Sequence, residues 1–106
     1  MPGFVTTIYS KRFIGQTVAA GQSATATVPT GMLWVVRTIT LMPQATGLAY
    51  ASVYVPNGPF LYSVVSPTYQ DTYTQDMYHV LNAGEVLTCF TAGAMCNFTV
   101  SGYEFT

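Results

Sequence analysis

The chain has 106 residues, half of them apolar, with only 7% charged and a formal net charge of −1. Three basic residues give no electrostatic footprint for nucleic acid, and no apolar run approaches the roughly 20 residues of a membrane-spanning helix. Charged residues usually make up about 25% of a chain, so this surface must be covered instead by hydroxyls, amides and phenols, with 16 threonines and eight tyrosines to supply them.

The start, MPGFVTTIYSKRF, lacks a charged segment followed by a hydrophobic core, so it does not read as a signal peptide, and a cytoplasmic site of synthesis is expected. Phe4 to Ile14 alternates loosely and contains Lys11-Arg12; residues 1–14 are expected to form an edge strand or an extended arm. Val18 to Gly21 reads as a turn and Ala24 to Val28 as a short strand. The organising stretch is Val28 to Pro43, VPTGMLWVVRTITLMP. A turn at Pro29 to Gly31 feeds a β-branched run that should be a central strand. A period of two places Leu33, Val35, Arg37, Ile39 and Leu41 on one face, with Trp34, Val36, Thr38 and Thr40 on the other. Pro43 cannot donate to a sheet ladder and should end the strand.

Beyond a loop at Gln44 to Gly47, Tyr50 to Val55 alternates cleanly, with Ala51, Val53 and Val55 opposite Tyr50, Ser52 and Tyr54. Pro56-Asn57-Gly58-Pro59 is a turn and Phe60 to Val65 the next strand. Ser66 to Gln75 reads as a polar loop entering a strand from Tyr73 to Leu81. Asn82-Ala83-Gly84 turns the chain into an expected hairpin, Glu85 to Phe90 and Ala94 to Ser101, with a tail that stays strand-like to Thr106. Up to eight short strands without a helix predict a single all-β domain over residues 1–106. The expected architecture is an antiparallel β-sandwich of jelly-roll type, with a small closed barrel as the alternative.

Chemistry finds few groups to use. One histidine, His79, and four scattered carboxylates, Asp71, Asp76, Glu85 and Glu104, offer no positioned acid–base pair. Cys89 and Cys96 with one histidine are too few for a metal site. No catalytic, cofactor-binding or metal-binding residue is expected, and the chain does not read as an enzyme. A two-residue hairpin loop at Ala92-Gly93 would set Cys89 across from Cys96, within disulfide range; cytoplasmic thiols stay reduced, which favours two free buried cysteines. The Asn97-Phe98-Thr99 sequon reads as chance.

Arg37 on an apolar face must be satisfied, either by a carboxylate of the domain, with Glu85 and Glu104 as candidates, or at a subunit contact; the first is favoured. Trp34, Arg37 and Tyr103 are therefore expected as core anchors. Tyr69, Tyr73, Tyr78 and Arg12 are the candidate interface residues, since tyrosines serve as interface anchors. A Tyr69, Asp71, Tyr73 and Asp76 group could alternatively hold a carbohydrate. The low charge itself points to a protein packed against partners, because contiguous uncharged surface marks interfaces.

Three segments carry a resemblance: VPTGMLWVVRTI (Val28 to Ile39), VLNAGEVL (Val80 to Leu87) and FTVSGYEFT (Phe98 to Thr106). Together they resemble small all-β virion proteins of tailed bacteriophages, in which a proline-glycine turn leads a Trp-x-x-Arg strand and the chain ends near Val-Ser-Gly-Tyr-Glu. The Tyr-rich middle, Ser66 to Tyr78, matches none of these motifs. The resemblance implies a non-enzymatic virion structural role, most of all a capsid decoration or minor capsid protein that stabilises the head. Its implied partners are the major capsid protein and copies of itself, as a homotrimer, with no nucleic acid, membrane or cofactor. The alternative is a tail-tip or fibre module that binds host-surface glycans through tyrosines.

Overall fold

The computed structural model describes residues 8–106, so the part of the expected arm before Ile8 lies outside the described residues. Eight strands follow in order: β1 (Ile8–Val18), β2 (Ser23–Thr27), β3 (Leu33–Pro43), β4 (Tyr50–Tyr54), β5 (Phe60–Val65), β6 (Tyr73–Leu81), β7 (Val86–Ala92) and β8 (Cys96–Phe105). They build two four-stranded antiparallel sheets, ordered β1-β8-β3-β6 and β2-β7-β4-β5. This is the strand order of a jelly roll, an open sandwich rather than a closed barrel. The long first strand is an edge, paired only with β8, and it runs on to Val18 because Ile14 and Val18 both bury inward.

The core lies between the sheets. Trp34, Val36, Ile39, Leu41, Leu81, Phe98 and Val100 from the first sheet meet Ala24, Ala51, Val53, Leu87 and Cys89 from the second. β3 is central, between β8 and β6, and it ends at Pro43 as its chemistry requires. Its faces differ from the simple alternation. The pairing with both neighbours jumps between Val36 and Thr38: against β8 Arg37 is an extra residue, and against β6 it faces two residues, Met77 and Tyr78. A bulge of one residue reverses the parity of a strand. Trp34 and Val36 therefore face the core before it, Ile39 and Leu41 after it, and Arg37 is left exposed.

The expected β7–β8 hairpin does not form. β7 pairs with β2 and β4, whereas β8 inserts between β1 and β3 in the opposite sheet. The chain crosses at Gly93, whose φ of 98° suits glycine and whose missing side chain admits the Gly47 carbonyl and the Ala49 amide. Cys89 consequently sits opposite Ala24 and Val53, and Cys96 opposite Val18 and Pro43. Both thiols are free and buried. Burial, with Cys96 adding to it, pushes Cys89 up to about 12, while burial raises Cys96 to about 11 against a weaker opposing backbone hydrogen bond at Met42.

Candidate functional site

Two bulges shape the outer face of the β1-β8-β3-β6 sheet. β1 shifts register between Arg12 and Ile14, and β3 between Val36 and Thr38, so that Arg12 and Thr38 flank the same residue of β8, Ser101. Bulges re-aim side chains, and here they open a shallow groove of about 380 Å³. Its lining includes Ser10, Arg12, Arg37, Thr38, Ser101 and Tyr103, and Lys11 borders it as well. All three basic residues of the chain thus gather at one place.

The two arginines are held differently. Arg12 lies across Gly15, where a Cβ would collide with its Cδ, and its guanidinium has no hydrogen bond or ion pair among the described residues. The Arg37 Nε donates to the Met77 carbonyl at 2.8 Å, and the guanidinium stands 5.4 Å from the centre of the Tyr78 ring. The expected pairing of Arg37 with Glu85 or Glu104 is therefore corrected. Glu85 instead accepts from the Asn82 amide inside its own turn at 2.7 Å. Once the bulge turns Arg37 to solvent, it needs no buried counterion and is not a core anchor. Tyr103 is not one either: at 37% exposure it borders the groove on the outer face.

Glu104 belongs to the opposite, inner side of β8. Its Oε2 accepts from the Trp34 indole N–H at 2.8 Å and from Lys11 Nζ at 3.0 Å. The buried Trp34 ring stacks on Phe13 with centroids 4.3 Å apart, and Lys11 Nζ lies 5.5 Å over the indole. The indole hydrogen bond, then that of Lys11, holds the Glu104 carboxyl below the usual carboxylate range. The unfolded chain therefore binds a proton here more readily than the folded one. The stabilisation is present at neutral pH and is lost as pH falls through the folded pKa. Melting temperatures followed from neutral to acidic pH should drop, and Glu104→Gln should flatten that drop. An identical slope in the variant would show that Glu104 carries none of the acid sensitivity.

The remaining interface candidates separate. Tyr78 stands 70% exposed on the same outer face as Arg12. Tyr69 is exposed in the β5–β6 loop. Tyr73 packs against the core, and its hydroxyl accepts from the Thr68 amide at 2.7 Å, so it is not an exposed interface anchor. Asp76 faces the other way, accepting from the Thr38 hydroxyl at 3.4 Å. The Tyr69, Asp71, Tyr73 and Asp76 group is thus divided, with Tyr69 and Asp71 in the loop and Tyr73 and Asp76 on opposite faces of β6, and it forms no single site. A second depression, on the outer face of the β2-β7-β4-β5 sheet, gathers Tyr50, Tyr54, Phe60 and Phe90. The clean alternation of Tyr50 to Tyr54 was its one sequence signal; Phe60 and Phe90 arrive only through strand pairing.

The fold defines the class, a jelly-roll β-sandwich. No protein-family model matches the sequence, and no curated protein matches it. Among solved structures the chain is similar to the Drosophila NLP core, described in terms of pentamer formation and histone binding, with TM-score 0.51 and 16% identity over 89% of this chain and 98% of that one. It is also similar to the capsid protein VP2 of infectious bursal disease virus in a subviral particle, with TM-score 0.53 and 11% identity over 94% of this chain; it spans only 32% of the VP2 chain. A looser likeness, TM-score 0.45 with 12% identity over 96% of this chain and 99% of that one, is to the CBM6 module of LamC from Zobellia galactanivorans. At these identities the likeness is one of fold.

Proposed function

We propose that the protein is a non-enzymatic structural subunit of a bacteriophage virion, a decoration protein that binds the assembled head. The observation that carries this reading is the outer surface. Ten large apolar or aromatic side chains among the described residues are exposed, Tyr78, Tyr103 and Val80 among them, while the whole chain has seven charged residues. Such a surface desolvates cheaply and suits burial against neighbours. The three phage-like sequence segments support the same role, and VP2 uses a sandwich of this kind in a subviral particle.

In this reading the major capsid protein and further copies of the chain, arranged as a homotrimer, are the partners. The groove between Arg12, Arg37 and Tyr103 is the docking face toward the shell, with the arginines meeting carboxylates there. The subunit is made in the host cytoplasm and resides in the virion. Quantitative mass spectrometry of purified particles should find the protein at copy numbers comparable to the capsid lattice, and Arg12→Glu with Arg37→Glu should strip it from the heads. Absence from virions, or a handful of copies, would overturn the decoration role.

A further inference from the structure

We infer that the outer face of the β2-β7-β4-β5 sheet is a binding site for a neutral sugar, seating a pyranose ring between two aromatic pairs above the Ser52 hydroxyl. The inference is independent of where in a particle the subunit sits. It begins with β4, whose alternation buries Ala51 and Val53 and turns Tyr50, Ser52 and Tyr54 outward. Pairing then supplies the walls. Phe90 of β7 lies opposite Ser52 and forms a ring pair with Tyr50, centroids 5.8 Å apart and planes at 43°. On β5, a register shift after Val53 places Phe60 opposite Tyr54, with centroids 5.3 Å apart and planes at 39°.

Tyr50 and Tyr54 are separated along β4 by roughly 13 Å, four residues of extended chain, and Phe90 lies in the row of Ser52 between them. Between them is a cleft of about 310 Å³, a size at the lower end of small-molecule sites. Ser52 forms part of its lining, buried, with its Oγ 3.1 Å from that of Ser63. The phenol hydroxyls of Tyr50 and Tyr54 have no hydrogen-bond partner among the described residues. In the same cross-strand row as Tyr54, the Thr88 hydroxyl is buried and likewise unpaired.

Charge selects the ligand class. The four strands of this sheet, SATAT, YASVY, FLYSVV and VLTCFTA, contain no acidic or basic side chain. An anionic or cationic ligand finds no counterion here, and a purely apolar one would leave the Tyr50 and Tyr54 hydroxyls without water or partner. A neutral pyranose satisfies both demands. Its C–H faces pack on the rings, and its equatorial hydroxyls reach the serine and tyrosine oxygens.

Nuclear magnetic resonance titration of the whole chain tests this, with maltohexaose, cellohexaose and a galactohexaose as neutral probes and a hexagalacturonate as the charged control. At millimolar concentrations at least one neutral probe should shift resonances of Tyr50, Tyr54, Phe60 and Phe90. Phe60→Ala removes a ring that is 69% exposed, so the fold should persist, and the dissociation constant should rise about tenfold. Tyr54→Phe, which keeps the ring and loses only the hydroxyl, should weaken binding less, and Arg12→Ala should not change it. Silence with all three neutral probes, shifts unaffected by both cleft variants, or tighter binding of the uronate would each overturn the inference. Loss of self-association or of particle retention in Phe60→Ala, with the sugars silent, would instead mark the cleft as a protein contact and refute the sugar site.

Discussion

Trp34→Ala is expected to cost about 3–5 kcal/mol of folding stability, the usual loss for a large aromatic cut from a core. The indole is 3% exposed, stacks on Phe13 and donates to Glu104, so its removal empties space beside Phe13 and leaves the Glu104 carboxylate with Lys11 as its one remaining side-chain donor among the described residues. Against a typical total of about 5–15 kcal/mol, the variant would be marginal. Its melting temperature should fall by at least about 12 °C for a domain of this size. Circular dichroism of dilute protein measures this without the lost fluorophore. Trp34→Phe should recover much of the loss by restoring the stack without the N–H. A wild-type melting temperature for Trp34→Ala would remove the indole from the core.

The second large effect is expected at Gly102. A Cβ there would overlap the Val35 carbonyl oxygen and come within 3.0 Å of the Arg37 amide nitrogen. Both are main-chain atoms of the central β3, at the bulge, so no flexible side chain can give way. Gly102→Ala should destabilise by about 3 kcal/mol, the upper end of overpacking costs, and should also shift the bulge that shapes the groove. Ser101→Ala, one residue away and facing outward, should change stability by no more than about 0.5 kcal/mol. Amide hydrogen exchange would locate the damage, with protection falling first around Val36 to Thr38. Unchanged stability and exchange in Gly102→Ala would contradict the close approach of β8 to β3.

Much of the strand content is legible in the residues because each strand is short, alternates and ends at a turn. Phe60–Val65 and Tyr73–Leu81 fall where their patterns place them, and Pro43 ends β3 for a reason local to proline. Trp34, buried beside Val36 in the core, is also legible from the apolar start of its face. The two bulges are not, since an extra residue changes no residue type, yet it inverts the parity on which a face assignment depends. Simple alternation puts Arg37 on the buried face for that reason alone.

Sequence by itself determined an all-β chain with a neutral surface, because alternation, turn residues and scarce charge are local or compositional properties. Tertiary structure alone decided which strands are neighbours. Apolar alternation in β7 and β8 is equally satisfied by a partner in the same sheet or by a packed opposite sheet. Only the arrangement in which β8 pairs on both edges with β1 and β3 sends the chain across at Gly93 and places the two cysteines in opposite sheets. The same long-range pairing brings Arg12 to Arg37 over Ser101, and Phe60 and Phe90 to the tyrosines of β4. Sites assembled across strands depend on register, and register is set by how the whole sandwich packs.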